Sequence, residues 1–210
     1  NVTGVQTCAL PISRYAQGFP DQVPVDGARM PRVADVFALA AKAGNTAVRF
    51  NIETKLSPTA PAETLAPEPF ARALIAEIRK AGVASRSTIQ SFDWRTLQVV
   101  QKEAPEIATV YLTIARGGGD NVQVGKPGAS PWTAGFDVDD HGGSAPATVH
   151  AAGGRIWSPF FQDLDEASFN RAKELGLAVV PWTVNDEPTM RRLVQMGVDG
   201  LISDRSEEHT

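Results

Sequence analysis

Two hydrophobic periods take turns along this chain, and their alternation limits the folds open to it. Pro31 to Ala43 carries Val33, Val36, Phe37, Ala40 and Ala41 at helical spacing, with Pro31 near the start and Gly44 after the end. Asn51 to Lys55 reads as a strand, between Gly44-Asn45 and Ser57-Pro58. A helix from Pro69 to Ala81 follows, with Phe70, Leu74, Ile75 and Ile78 on one side and Gly82 as its stop. The pattern repeats as a strand Ser87 to Phe92, a helix Asp93 to Ala104 with Asp93 as N-cap, and a strand Ala108 to Ile114. After a long interruption come a helix Ala145 to Ala152, a strand Arg155 to Phe160 and a helix Glu166 to Leu175. A strand Leu177 to Val184, a helix Glu187 to Met196 capped by Asp186, and a last strand Gly200 to Ser203 complete the series.

Strand–helix alternation of this kind predicts a parallel sheet with helices outside it, an α/β fold. A doubly wound open sheet is the alternative, but neither GxGxxG nor GxxxxGK[ST] occurs, Arg116-Gly117-Gly118-Gly119-Asp120 included. Open sheets also favour wholly apolar strands, whereas Asn51, Glu53 and Lys55 share one face. A TIM-type (β/α)8 barrel takes about 250 residues. The six βα units read here fit such a barrel left incomplete, with its first strands and last helix missing. A barrel lacking two strands leaves unpaired edges, which predicts poor folding.

Side chains alternate across a strand, so Asn51, Glu53 and Lys55 face one way and Phe50, Ile52 and Thr54 the other. In a barrel the second set packs against helices, and the first reaches the C-terminal rim, where active sites lie. A carboxylate and an ammonium at i, i+2 are costly to desolvate unless they pair or bind something. Glu53 can coordinate a hard divalent cation, Mg²⁺ or Ca²⁺, and Lys55 can neutralise a phosphate beside it. An ion pair closing the rim is the plainer alternative. Gln90, at the end of the next strand, can bind substrate oxygens or simply end the strand. Phe92 shares its face. Trp182 can wall a pocket or fill the core, and Asp204 can join the rim. Residues 115–143, rich in glycine and proline, form a long βα loop of the sort that is often functional.

Composition excludes other readings. With 20 basic and 24 acidic residues the formal charge is −4, which gives no reason to expect nucleic acid or an anionic membrane as partner. No run approaches the roughly 18 apolar residues of a transmembrane helix. The single cysteine, Cys8, allows neither an internal disulfide nor a cysteine metal cluster. The acidic loop Asp137 to Gly142 around His141 has no EF-hand spacing and reads as solvated, and no Gly-x-Ser-x-Gly elbow is present.

The ends stand apart from this pattern. Val2 to Ile12, and Arg205-Ser206-Glu207-Glu208-His209-Thr210, resemble translated sequencing-adapter DNA codon by codon. Residues 1–13 and 205–210 are therefore expected to lie outside the fold, and residues 14–204 to be an internal piece of a longer barrel domain.

Four segments in order carry a family resemblance: Phe50-Asn51-Ile52-Glu53-Thr54-Lys55, Thr88-Ile89-Gln90-Ser91-Phe92-Asp93, Val180-Pro181-Trp182-Thr183-Val184-Asn185 and Gly197-Val198-Asp199-Gly200-Leu201-Ile202-Ser203-Asp204. With the lead-ins Phe19-Pro20-Asp21-Gln22 and Gly27-Ala28-Arg29-Met30-Pro31, the chain resembles the glycerophosphodiester phosphodiesterase family over nearly all of residues 14–204. The resemblance implies a TIM-type barrel that hydrolyses glycerophosphodiesters to glycerol 3-phosphate and an alcohol, using a divalent metal, Mg²⁺ or Ca²⁺, and two histidines as general acid and base. By position, Glu53 resembles the family's third metal-ligand carboxylate and Lys55 its phosphate-side lysine. Gln90, Phe92 and Trp182 match positions lining the substrate pocket.

The departures bear on activity. The family's His-Arg-Gly, Glu-x-Asp and His-Asp segments, which hold both catalytic histidines and two metal carboxylates, are absent, and His141 and His150 match none of them. The expectation is that this polypeptide is inactive as it stands, the acid–base histidines belonging to a missing N-terminal part. Similar bacterial enzymes with the Phe-Pro-x-Gln lead-in are often exported, which points to the periplasm. Two other readings stay open: a phospholipase C-like barrel phosphodiesterase, and a non-catalytic barrel that serves as a binding module.

Overall fold

The computed structural model describes residue 25 and residues 27–205. The adapter-like residues 1–13, Cys8, the Phe19 to Gln22 lead-in and His209 lie outside the described residues. Two compact units are present, Asn1–Arg32 and Val33–Thr210. In the first, residues 27–32 carry neither helix nor strand. The second holds the α/β fold.

Five strands pair in parallel in chain order: β1 Phe50–Glu53, β2 Ser87–Ser91, β3 Ala108–Thr113, β4 Ile156–Pro159 and β5 Ala178–Val179. The register sets Glu53 opposite Gln90, Ser91 opposite Tyr111 and Thr113 opposite Pro159. Spatial order never reverses, so the sheet lacks the switch point of a doubly wound fold and keeps the strand order of a barrel. Six α-helices are seen among the described residues: α1 Val33–Lys42, α2 Pro67–Lys80, α3 Trp94–Glu103, α4 Ala145–Ala151, α5 Glu166–Glu174 and α6 Glu187–Met196. No helix among the described residues is long and apolar enough to cross a membrane.

Local chemistry explains the boundaries. Asp93 caps α3 by accepting from the Arg95 backbone N–H at 3.1 Å, Ser144 caps α4, and Asp186 caps α6. Asp165 and Ser168 form a reciprocal capping box on α5. Gly154 is demanded by packing, because a Cβ there would lie 2.6 Å from Val149 Cγ1 and 2.9 Å from Tyr111 Cδ2. The core lies between sheet and helices, with Ile78, Ile89, Trp94, Tyr111, Trp157, Leu177 and Leu193 buried.

The structure departs from the sequence reading in four places. Among the described residues five strands stand where six were expected. The segment Gly200 to Ser203 runs beside the β5 region, with Ile202 N–H donating to Pro181 O and Val184 N–H to Ile202 O, but it forms no strand. Pro181 has no N–H to give, which interrupts a continuous ladder there. For the same reason the expected strand Leu177 to Val184 shrinks to two residues followed by single bonds and a bridge, Phe160 with Trp182. In α1, Val36 and Ala41 are exposed, and Phe37 carries the packing, edge-on to Phe50 at 4.9 Å. Finally, β1 stops at Glu53, so Lys55 lies beyond the strand, and Asn51 is exposed.

Candidate active site

The C-terminal strand ends share one rim. Glu53 ends β1, Phe92 follows β2, Ile114 follows β3 and Trp182 follows β5. Together with the loop after β1 and the long loop after β3, they line a cleft of about 450 Å³.

A buried hydroxyl lattice fixes the β1 end. Thr54 Oγ1 lies 2.8 Å from Thr96 Oγ1 on α3, and Ser91 Oγ donates to Thr54 O at 2.8 Å. Thr54 therefore points toward the helices and its neighbours Glu53 and Lys55 toward the cleft, as alternation requires. The Glu53 carboxylate is poorly served. Its Oε1 is buried and has no hydrogen-bond partner, and Lys55 Nζ stands 3.9 Å away, too far for a hydrogen bond. The Lys55 side chain is 84% exposed. The pair is thus a loose contact rather than a closed rim bridge.

Gln90, which faces Glu53 across the sheet, is already engaged. Its Oε1 accepts from Asn51 Nδ2 at 2.7 Å, while Asn51 Oδ1 accepts from Thr88 Oγ1 at 2.8 Å. Neither Gln90 nor Asn51 is among the residues that line the cleft.

The aromatic residues do converge. Phe92 meets Trp182 edge-on at 5.2 Å, and Trp182 packs on Phe160 at 5.2 Å. The indole N–H of Trp182 donates to Ser158 O at 2.9 Å, which fixes the ring. Trp182 is half-buried, both core-packed and cleft-lining.

Five lining residues went unnamed in the sequence reading, Leu56, Glu63, Thr64, Asn121 and Trp132. The last two come from the long loop after β3. The length and glycine content of residues 115–143 were the only signal for Asn121 and Trp132. Asn121 holds that loop to the rim. Its Oδ1 accepts from Ile114 N–H at 2.8 Å and its amide donates to Leu112 O at 3.1 Å. The Trp132 carbonyl accepts the Trp94 N–H at 2.8 Å, seating the loop on the start of α3. Glu63 comes from the loop after β1. His141 and His150 lie away from the cleft, and Asp204 pairs with Asn185.

The donor set can be tested against a divalent cation. No group of three His, Cys, Asp or Glu residues suited to a metal occurs among the described residues. A hard cation such as Mg²⁺ can nonetheless be held by one or two carboxylates completed by phosphate oxygens and water. An orphaned, buried carboxylate oxygen beside a lysine fits that smaller role.

The sequence pattern of the glycerophosphoryl diester phosphodiesterase family matches residues 5–208. A glycerophosphodiester phosphodiesterase from Caldanaerobacter subterraneus subsp. tengcongensis is 26% identical over 181 residues, covering 86% of this chain and 60% of the relative. A candidate glycerophosphoryl diester phosphodiesterase of known structure from Silicibacter pomeroyi is 30% identical with a TM-score of 0.72, covering 90% of this chain and 58% of that one. An Oleispira antarctica phosphodiesterase solved with its product sn-glycerol-3-phosphate shares the fold, with a TM-score of 0.58 at 16% identity, covering 85% of this chain and 59% of that one. The chain thus spans about three fifths of the length of these relatives.

Proposed function

Since this chain belongs to the glycerophosphoryl diester phosphodiesterase family and has the α/β fold of its TIM barrels, we propose that its cleft serves hydrolysis of a glycerophosphodiester to glycerol 3-phosphate and an alcohol. The observation that carries the reading is the Glu53 carboxylate, whose buried Oε1 has no partner although Lys55 stands beside it. A fold gains nothing by burying an unsatisfied carboxylate oxygen, whereas a divalent cation at a phosphate site is held by one.

In this reading Lys55 holds the phosphate by charge, and its exposure leaves the ammonium free to reach a ligand. Glu53 is one ligand of a divalent cation, Mg²⁺ or Ca²⁺, with the phosphate oxygens and water as the others. When bound, the cation supplies Lewis acidity at the phosphoryl group. Phe92 and Trp182 form a wall that keeps water from one side of the phosphodiester, and the Thr54–Thr96–Ser91 lattice orients the end of β1. No histidine among the described residues lines the cleft. Residues 1–210 are therefore proposed to bind the phosphate but to turn substrate over far more slowly than the longer relatives.

The test is calorimetric titration of residues 1–210 with glycerol 3-phosphate, with and without Mg²⁺ or Ca²⁺. Saturable binding that the cation strengthens is expected. Lys55→Ala should weaken it by about tenfold, the worth of one exposed charge-assisted contact. Binding unaffected by Lys55→Ala would overturn the assignment of Lys55. Hydrolysis of glycerophosphocholine at the rate of a longer relative would overturn the statement on turnover.

A further inference from the structure

The segment that follows β3 lends Ile114, Gly119 and Asn121 to the cleft, and between them lies Gly117-Gly118-Gly119. Three successive glycines impose little shape on a backbone, and Gly117 sits in the left-handed region at φ +65°. The place of this wall is therefore set by what holds the chain on either side of the glycines. On the far side the Asn121 amide bonds the rim. On the near side the anchor is Asp163, in the turn after β4. Its Oδ2 accepts the Ala115 N–H at 2.8 Å, its Oδ1 accepts from Arg116 Nε, and Arg116 Nη2 donates to Gln162 O. Neither Arg116 nor Asp163 lines the cleft. The turn that carries Asp163 supports a second wall. Phe161 N–H donates to Trp182 O at 2.8 Å, Asp163 N–H donates to Phe160 O at 2.9 Å, and the Phe160 ring packs on the Trp182 indole at 5.2 Å. One clamp thus fixes the Ile114–Gly119 wall relative to the Trp182 wall. The Asp163 side chain is 11% exposed and depends on these partners, whereas Arg116 is 51% exposed, which limits what the pair adds to stability.

Building on the phosphodiesterase reading, we infer that Arg116 and Asp163 are positioning residues of this cleft. They act without touching the substrate, by holding the glycine-containing wall at the distance from Trp182 that a phosphodiester requires. The two residues work as one unit, because removing either frees Ala115 and the glycines behind it. Their loss is felt by a ligand that fills the space between the two walls. A ligand that needs only Lys55 and the Glu53 cation at the end of β1 does not register it.

The experiment is calorimetric titration of residues 1–210 with glycerophosphocholine, which reaches across the cleft, and with inorganic phosphate, both in the presence of Mg²⁺. Arg116→Ala should weaken glycerophosphocholine by about threefold to tenfold, because a loosened loop must be ordered on binding. Inorganic phosphate should stay within about twofold, and Tm should fall by no more than about 4 °C. Asp163→Ala should give a similar loss, and the double variant no more than the larger single loss, since both remove one clamp. Arg116→Lys keeps a charge beside Asp163 and should lie within about twofold of wild type. Arg116 is half-exposed, so its variants test the inference even where Asp163→Ala fails to fold. Unchanged glycerophosphocholine affinity in Arg116→Ala overturns the inference, as does an equal loss for inorganic phosphate or an additive loss in the double variant. Wild-type protein that binds phosphate but not glycerophosphocholine refutes this inference alone. Wild-type protein that binds neither refutes the phosphodiesterase reading with it.

Discussion

Replacing Glu53 by methionine separates a residue kept for function from one kept for stability. If the carboxylate were a structural bridge, its loss would destabilise the protein. The geometry says otherwise. Oε1 is buried without a hydrogen-bond partner, and an unsatisfied buried polar atom costs about 1–3 kcal/mol. Lys55 returns little of this, because it lies 3.9 Å away with its side chain 84% exposed, and such ion pairs are worth about 0–1 kcal/mol. The Glu53 side chain is itself 25% exposed, so water serves part of the group and the lower end of the penalty applies. Methionine has nearly the same length and no charge. Glu53→Met is therefore expected to raise stability by about 1 kcal/mol, or about 2–4 °C in Tm for a chain of this size. It should at the same time lose the stabilisation that Ca²⁺ or Mg²⁺ with glycerol 3-phosphate is proposed to give the wild type. That stabilisation amounts to about 1.4 kcal/mol at ten times Kd. Urea unfolding with and without ligand measures both effects. A variant that is less stable by about 1 kcal/mol and still responds to ligand would refute the reasoning.

Three further outcomes follow from the same geometry. Asp93→Ala removes a fully buried carboxylate that caps α3 and pairs with Arg95 at 2.5 Å; Arg95 is 39% exposed and can turn to water, so the expected loss is about 2–3 kcal/mol in urea unfolding. Asn121→Ala deletes the side-chain bonds to Ile114 N–H, Leu112 O and Phe92 O that help tie the loop after β3 to the rim and should cost about 1–3 kcal/mol, with a change in Trp132 emission that a remote core substitution would not give. The Ser168 hydroxyl and backbone N–H hold the Asp165 carboxyl below its ordinary value. A depressed carboxyl adds stability above its unfolded pKa of about 3.9 and loses it as pH falls through the folded value, so Asp165→Asn should flatten the acid limb of stability below about pH 4 in urea midpoints measured from pH 5 to 2.

What the sequence revealed, and what it hid, divides by the range of the interaction. Helix ends were legible because caps are local: Asp93 and Asp186 sit where their spacing to the first helical turn places them, and Glu187–Met196 has the bounds that its pattern predicts. The faces of β1 were legible because alternation is geometry, and Phe50 and Thr54 do turn inward while Glu53 and Lys55 reach the cleft. The strand after α5 was not, because pairing depends on a partner: residues 180–184 have strand composition, yet Pro181 cannot donate and only single bonds reach the segment near Ile202. Val36 has the right spacing for the core but no neighbour among the described residues to bury it. Gln90 has the right position for a substrate ligand, but its amide oxygen is taken by Asn51, thirty-nine residues away.

The same division explains why Glu53 and Lys55 of the cleft lining were legible in the sequence and its aromatic lining only partly so. Glu53 ends β1 and Lys55 follows two residues later, so their chemistry can be read without knowing the fold. Trp132 and Asn121 reach the cleft only because the loop after β3 folds back onto α3 and the rim. That return includes bonds no spacing rule encodes, among them Trp94 N–H to Trp132 O, Ile114 N–H to Asn121 Oδ1, and Asn121 Nδ2 to Leu112 O. The energetic logic of the two halves also differs. Asn121 is satisfied on both sides of its amide and is kept by the fold. Glu53 is left with a buried oxygen that the fold does not serve, and that deficit is what the proposed cation would relieve.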